Sequence, residues 1–169
     1  NCGGGLKGHK GQLYEGGIKV PLIINQPGIV PVQRLKNIVC FPDFMPTLAA
    51  ITGSTNGLPH AIDGMDISPL FYGKKVDTDH RYIYWEFPGK QRAIRYGDWK
   101  AESIGHNHPV ELYNITRDPF EKNNLAAEYP KKVREMDEVM QTMHHPSVNW
   151  PLPGEPGYVA PLVKKSKRK

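Results

Sequence analysis

The chain has 169 residues, of which 38% are hydrophobic, and its formal net charge is +5. This length allows one modest globular domain, or a domain and part of another, and no apolar run approaches the length of a membrane span. Five of the 22 basic residues lie in the last six positions, and without them the basic residues equal the 17 acidic ones in number. The body of the chain is therefore neutral, which gives no indication of a nucleic-acid surface, and two cysteines are too few for a disulfide framework.

The first feature in chain order is a glycine-rich loop that carries Lys7 and Lys10. Glycines at positions 3, 4, 5, 8 and 11 allow positive φ and let the backbone approach a ligand closely. Each lysine adds a compact ammonium group with three donors, which suits phosphate or sulfate. The loop is not a Walker loop, because no Gly-Lys-Ser/Thr follows the glycines. The spacing leaves two interpretations open, an anion-binding loop and a surface loop with solvated lysines.

The next stretch combines an apolar run with a short helix. Alternating apolar residues predict a strand over 18–24, which Pro21 places at a sheet edge or bulge. Pro27-Gly28 predicts a turn. Asp43 is a credible N-cap for a helix that has Pro46 in its first turn and ends at Gly53. The helical spacing predicts a buried face formed by Phe44, Leu48 and Ile51.

The second half of the chain has the pattern of a small antiparallel sheet. Residues 53–79 are rich in loop formers, and strand-like segments follow at 81–87, 92–96 and 110–113. Gly97-Asp98 predicts a tight turn before Trp99, so that neighbouring strands are antiparallel. Pro130 opens a helix whose apolar face consists of Val133, Met136, Met140 and Met143. After Pro146 we expect an extended, proline- and glycine-rich tail that ends in the basic cluster.

Three stretches resemble one family. The loop is similar to the segment L-R/K-G-x-K-G-x-x-x-E-G-G-x-R/K-V-P of the type I, formylglycine-dependent sulfatases in the alkaline phosphatase superfamily; the matching residues are Leu6, Lys7, Gly8, Lys10, Gly11, Glu15, Gly16, Gly17, Lys19, Val20 and Pro21. Residues 43–48 resemble the D-x-x-P-T-L helix of these proteins. Residues 92–100, 111–114 and 118–125 resemble the C-terminal signature R-A-I/V-R-x-G-x-W-K, E-L-Y-D/N and D-P-x-E-x-x-N-L.

The resemblance implies the C-terminal portion of a sulfatase. The implied fold class is α/β: the C-terminal end of an alkaline-phosphatase-like α/β sandwich domain, followed by a small antiparallel sheet with one packed helix. The predicted boundaries are 1–75 for the end of the α/β domain, 76–146 for the sheet subdomain and 147–169 for the tail.

The resemblance also implies the roles of individual residues. Lys10 matches the family lysine that reaches the sulfate ester, and Lys7 and His60 are weaker substrate-binding candidates. Calcium and the formylglycine nucleophile are expected from a segment upstream of this chain. Cys40 and Pro42 begin like the C-x-P/A-S-R motif that yields formylglycine, but Asp43-Phe44 replaces Ser-Arg. We therefore interpret Cys40 as a small buried residue and expect no catalytic or metal-binding residue in this chain.

Histidines 106, 108, 144 and 145 raise the possibility of a metal site. Their spacing is not that of zinc sites, and no cysteine or carboxylate set lies near them in the sequence, so we expect no metal there.

Three functions remain open at this stage. The first is part of a sulfatase that hydrolyses organic sulfate esters, including sulfated glycans. The second is a phosphoesterase or phosphonate hydrolase of the same superfamily, and the third is a non-catalytic anion- or glycan-binding remnant. The expected partners are a sulfate-ester substrate and the upstream part of the same polypeptide, with neither nucleic acid nor membrane. A periplasmic, secreted or lysosomal location is implied by the resemblance alone.

Overall fold

The computed structural model describes residues 4–87, 91–105, 108–149, 151 and 154–158. The chain divides into two compact units. The sheet unit comprises Asn1–Lys19 and Tyr84–Lys169, and the middle unit comprises Val20–Ile83. The glycine-rich loop therefore groups with the C-terminal sheet, although it lies far from the sheet in sequence. The domain boundaries drawn from the sequence follow a different division and stay a prediction. Residues 159–169, with the basic cluster of the predicted tail, lie outside the described residues.

A four-stranded sheet in sequential order dominates the sheet unit. Its strands are β1 (Tyr82–Phe87), β2 (Gln91–Tyr96), β3 (Trp99–Ser103) and β4 (Glu111–Asn114). Strands β2 and β3 are antiparallel, with Tyr96 opposite Trp99 across the Gly97-Asp98 turn, and β3 and β4 are antiparallel with Trp99 opposite Asn114. The predicted hairpin sheet is confirmed, because strands that are neighbours in sequence pair across short connections.

One helix, α4 (Pro130–Met143), covers this sheet and contacts β2 and β3. Pro130 occupies the first turn, where its missing N–H leaves no helical bond unmade. Met136 and Met140 are buried, whereas Val133 and Met143 are half-buried, so the apolar stripe does face the protein interior. The core of the unit is completed by the fully buried residues Ala93, Ile94, Ala101 and Leu112.

The predicted strand at 18–24 is wrong. Residues 15–18 form the single turn α1 (Glu15–Ile18), and residues 19–26 have no regular secondary structure. Val20 and Ile23 are 80% and 85% exposed. A strand requires a partner for its backbone N–H and C=O groups, and the described residues do not supply one to this run. The Pro27-Gly28 turn is confirmed, with Gly28 at a positive φ of 78°.

The middle unit contains α2 (Phe44–Thr52), α3 (Ser68–Phe71) and short 3-10 turns at Phe41–Asp43 and Thr55–Gly57. Helix α2 ends at Gly53 as predicted, in a left-handed conformation. Its predicted apolar face is wrong, since Leu48 and Ile51 are exposed. Pro46 and Thr47 are the buried residues instead, and Thr47 Oγ1 accepts a bond from the Ile67 N–H at 3.0 Å. In the described part of the chain no helix combines the length and apolarity that crossing a membrane requires.

Candidate functional site

Lys10 lies at the tip of a tight turn in the glycine-rich loop. The backbone N–H of Gln12 donates to the His9 carbonyl oxygen at 3.0 Å, and Gln12 Oε1 accepts from the His9 N–H at 3.2 Å. Gly11 follows Lys10 with a φ of 92°, a conformation that favours glycine at the third position of such a turn. The two bonds between His9 and Gln12 therefore present Lys10 outward from a closed turn.

The turn is packed backbone to backbone against the Glu15-Gly16-Gly17 segment. The Gly16 N–H donates to the Lys7 carbonyl oxygen at 2.7 Å, and a Cβ on Gly16 would come within 2.5 Å of that oxygen. A Cβ on Gly17 would overlap the Gln12 carbonyl oxygen and lie 2.7 Å from that of His9. The two glycines are thus required by close approach of two backbone segments, which fixes the Lys10 turn relative to α1.

Helix α1 is in turn held by buried charges on the sheet. Lys100, on β3, is fully buried and donates to Glu121 Oε1 at 2.7 Å and to Glu15 Oε1 at 3.3 Å. Glu121 Oε2 also accepts the backbone N–H of Glu15 at 2.7 Å. Glu121 has a positive φ of 52°, an uncommon conformation for a non-glycine residue, which turns the carboxylate into this position. The second oxygen of Glu15 pairs with the more exposed Lys19.

A third carboxyl group completes this cluster. Glu102 is 1% exposed, lies 3.7 Å from the Lys100 ammonium and has no hydrogen-bond partner on either oxygen. Burial raises the pKa of Glu102 to about 8; the neighbouring carboxylates of Glu121 and Glu111 add to the rise, whereas Lys100 opposes it. Burial also raises the pKa of Glu121, against the lowering effect of Lys100. This raised pKa favours the neutral form of Glu102, which limits the charge that Lys100 must balance.

Lys7 is engaged in a separate cluster with two tyrosines. Its ammonium donates to Tyr113 Oη at 2.7 Å and Glu111 Oε2 at 3.3 Å, and it lies 4.0 Å from the centre of the Tyr14 ring. The same Glu111 oxygen accepts hydroxyl bonds from Tyr113 at 2.6 Å and Tyr14 at 2.9 Å. Although burial raises the pKa of Glu111, these two hydrogen bonds and Lys7 bring it below its usual range. Lys7 thus has its ammonium committed within the fold.

Lys10 contrasts with Lys7. It is exposed, and its ammonium has no hydrogen-bond or ion-pair partner among the residues that the structure describes. The neighbouring His9 ring is also exposed, and its Nδ1 lies 2.9 Å from the Lys10 carbonyl oxygen. Since a carbonyl oxygen only accepts, Nδ1 carries the proton in this contact. The loop that the sequence singled out therefore has one lysine held by the protein and one lysine available to a ligand.

The middle unit has its own buried charge pair. The Arg81 guanidinium donates to both oxygens of the fully buried Asp43 at 2.6 Å. Asp43 also accepts the backbone N–H groups of Cys40 at 2.8 Å and Met65 at 3.0 Å. Burial opposes ionisation, but the hydrogen bonds from Arg81 and the backbone keep the pKa of Asp43 below its usual value. Asp43 does not make the predicted side-chain cap to α2; it organises the turn before that helix.

Two further residues that the sequence singled out lie in the middle unit. His60 is exposed on a bend, and its role stays a prediction. Cys40 is half-buried rather than buried, and its Sγ lies 3.5 Å from Asp43 Oδ2. Burial, together with the Asp43 charge, raises the pKa of Cys40 to about 11, so that it remains a thiol at neutral pH.

The described residues offer no site for a metal ion. They contain no group of three or more His, Cys, Asp or Glu side chains that could hold one. The buried carboxylates of the sheet unit surround the Lys100 ammonium instead. His144 lies between Glu86 and Glu155, with Nδ1 and Nε2 at 2.6 and 2.5 Å from the two carboxylates, and its pKa is raised by these contacts. His106 lies outside the described residues. The described residues therefore do not fit the calcium ion that the resemblance implies for the complete protein.

Sequence reasoning missed the residues that hold the loop. In the sequence, Lys100, Glu111 and Glu121 stand out only as parts of the stretches that resemble the family, because ionic residues in strands and turns are usually solvated. One available signal was the alternation within β3, where Lys100 and Glu102 share one face of the sheet.

Comparison with known proteins places this architecture among the sulfatases. A solved protein described in work on the metabolism of multiple glycosaminoglycans by Bacteroides thetaiotaomicron superposes with a TM-score of 0.72 and 26% identity, over 82% of this chain and 32% of that one. The solved protein Ps i-CgsB in complex with k-i-k-neocarrahexaose gives a TM-score of 0.70 and 29% identity, over 81% and 31%. The predicted fold class is confirmed.

Sequence comparison identifies the family. Residues 8–148 match the family described as N-sulphoglucosamine sulphohydrolase, C-terminal, and the chain belongs to this family. It is also 34% identical over 144 residues to a sulfatase of Formosa agariphila, covering 75% of this chain and 26% of that protein. The chain therefore spans about a quarter to a third of the length of these relatives.

Proposed function

We propose that this chain is the C-terminal part of a sulfatase that hydrolyses organic sulfate esters, and that Lys10 is the ammonium that contacts the sulfate group. The observation that carries the proposal is the difference between the two loop lysines. Lys7 is bound to Glu111 and Tyr113, whereas Lys10 is exposed on a closed turn with no partner among the described residues. A sulfate oxygen would complete the unmade bonds of Lys10.

In this proposal Lys10 acts by electrostatic stabilisation. Its ammonium would face the non-bridging or leaving oxygen of the sulfate ester, where negative charge changes during cleavage of the S–O bond. The metal ligands would come from the remaining length of the polypeptide, because the described residues contain no group that fits a metal ion. The nucleophile is expected there as well, since Asp43-Phe44 follows Cys40 and Pro42 where the formylglycine motif has Ser-Arg. Formylglycine and calcium are expected there from the family.

We further propose a sulfated glycan as the substrate class. Support comes from two structural relatives, one described with the metabolism of multiple glycosaminoglycans and the other solved in complex with k-i-k-neocarrahexaose. A periplasmic, secreted or lysosomal location fits such substrates and remains part of the proposal.

The first test compares two variants of the complete enzyme, Lys10→Ala and Lys7→Ala, with 4-nitrophenyl sulfate at two ionic strengths. Loss of a donor to a developing charge lowers kcat/KM by about 10²–10³-fold, so we expect this loss for Lys10→Ala. Lys7→Ala should have the smaller effect, acting through loop packing. A larger loss for Lys7→Ala that salt does not reduce would contradict the assignment. Faster cleavage of 4-nitrophenyl phosphate by the unaltered enzyme would favour the phosphoesterase function instead.

The second test concerns the chain alone. Since a lysine cannot replace both nucleophile and metal, the isolated 169-residue chain should show no turnover of 4-nitrophenyl sulfate with added calcium. The complete enzyme at the same concentration serves as the positive control. Activity that persists through repurification of the isolated chain would refute this part of the proposal.

A further inference from the structure

Building on the proposed function, we propose that Lys100 is a positioning residue for Lys10. Lys100 fixes α1 from inside the sheet unit, and α1 in turn positions the ammonium of Lys10 that contacts the sulfate group. Lys100 cannot touch the substrate itself, since it is fully buried. Its effect on the reaction would pass through Glu15 and the backbone of the loop.

The first contact between Lys100 and the loop is ionic. Lys100 bonds to Glu121 and Glu15, and Glu121 also accepts the backbone N–H of Glu15. Glu15 is therefore held at both its side chain and its main chain, and all three charged groups are at least 95% buried. Ionic hydrogen bonds in such a site have fixed directions and are screened little by solvent.

The second step is the contact of α1 with the turn. Gly16 bonds to the Lys7 carbonyl oxygen, and Gly17 is packed against the carbonyl oxygens of His9 and Gln12. A shift of Glu15 therefore moves the backbone on both sides of Lys10. The Gln91 side chain adds a bond from Nε2 to the Gly11 carbonyl oxygen at 3.2 Å, which ties the turn directly to β2.

The Lys7 cluster supplies a second attachment at the start of the loop. Lys7 and Tyr14 both reach Glu111 on β4, so the segment before the turn and the segment after it end on one carboxylate. Glu15 attaches the loop to Lys100 on β3, and Lys7 and Tyr14 attach it to Glu111 on β4. Lys10 lies between these attachment points in sequence. The C-terminal sheet thus acts as the rigid base of the anion-binding loop.

A double-mutant cycle in the complete enzyme tests the inference. Lys100→Met removes the charge and keeps a similar length, and we expect kcat/KM for 4-nitrophenyl sulfate to fall by about 10–100-fold, mainly in kcat. In a Lys10→Ala background the same substitution should lower kcat/KM by less than about threefold, because its route to the reaction is already lost. Hydrogen exchange at the Gly16 and Gln12 amides should accelerate in Lys100→Met.

Met140→Ala is the matched control, since it removes a fully buried side chain of α4 that is not in the ionic cluster. It should destabilise the protein yet change kcat/KM by the same factor in both backgrounds. If Lys100→Met does not fold, Glu15→Gln and Glu121→Gln replace it, since each keeps the side-chain shape and removes a charge.

The outcomes separate this inference from the proposed function. If Lys10→Ala alone leaves kcat/KM unchanged, the proposed function fails and the inference fails with it. If Lys10→Ala loses activity but Lys100→Met, or its glutamine substitutes, lower kcat/KM equally in both backgrounds, the positioning role is refuted while the proposed function stands.

Discussion

The sheet unit and the middle unit are stabilised in different ways. The sheet unit buries apolar side chains between β2, β3 and α4, and it also buries the charges of Lys100 and its partners. The middle unit leaves many large apolar side chains exposed, including Val20, Ile23, Phe41, Met45 and Leu48. Its internal order depends on polar side chains that bond to backbone groups.

Three buried polar residues show how the middle unit is held together. Asp43 accepts two backbone N–H groups, Thr47 accepts one, and Thr78 Oγ1 accepts the Ile38 N–H at 3.1 Å. Such bonds fix loops without requiring a large apolar core. The sheet unit thus has a core of buried apolar side chains, whereas the exposed apolar side chains of the middle unit fit the proposal that it adjoins the rest of a longer sulfatase.

The largest expected effect is on the middle unit. Asp43→Asn should lower its free energy of unfolding by about 3–5 kcal/mol, because Arg81 would be left without its counter-charge. The unit contains no tryptophan, so far-UV circular dichroism and hydrogen exchange at residues 38–47 are the suitable measurements. Asp77→Asn, in the exposed pair with His80, is the control and should leave exchange unchanged. Equal effects of the two variants would show that the buried Asp43–Arg81 pair does not hold the middle unit together.

The next largest effect is the pH dependence of the free energy of unfolding of the sheet unit. The raised pKa of Glu102 means that the folded state holds its proton up to about pH 8, whereas an ordinary glutamate loses it near 4.5. The stability that depends on this proton is complete below about pH 4.5 and is lost as pH rises to about 8. Glu102→Gln should remove that dependence and be the more stable form at pH 8, on the order of a few kcal/mol. Urea unfolding at pH 5 and pH 8, followed by the fluorescence of the three tryptophans, measures the free energy of unfolding of both proteins. The same change of this free energy between the two pH values in both proteins would contradict the predicted role of the Glu102 proton.

A smaller effect is expected from backbone crowding in the loop. Gly17→Ala forces a Cβ against the carbonyl oxygens of Gln12 and His9, and should destabilise the sheet unit by about 1–3 kcal/mol. Gly57→Ala is the matched control in the middle unit, because nothing lies within 4 Å of its added Cβ. Thermal unfolding of the two variants compares them. A Gly17→Ala protein as stable as Gly57→Ala would show that the loop is not tightly packed.

The sequence predicted the local elements well. The hairpins, the Gly97-Asp98 turn, α4 and the end of α2 at Gly53 follow from neighbouring residues alone, and the structure confirms them. The strand at 18–24 and the buried face of α2 were wrong, because a strand partner or a covering surface depends on distant parts of a chain. The ionic cluster was missed for the same reason: Glu15 and Lys100 are 85 positions apart.

Lys7 and Lys10 have different roles in the loop, and the free energies of unfolding of the Lys7→Met and Lys10→Met variants of this chain distinguish them. Lys7→Met removes the ion pair with Glu111 and the hydrogen bond to Tyr113, and should lower the stability of the sheet unit by about 1–2 kcal/mol. Lys10→Met should stay within about 0.5 kcal/mol of the unaltered chain, because its exposed ammonium has no partner to lose within the described residues. Equal losses of stability, or a larger loss for Lys10→Met, would show that Lys7 is not the lysine held by the fold.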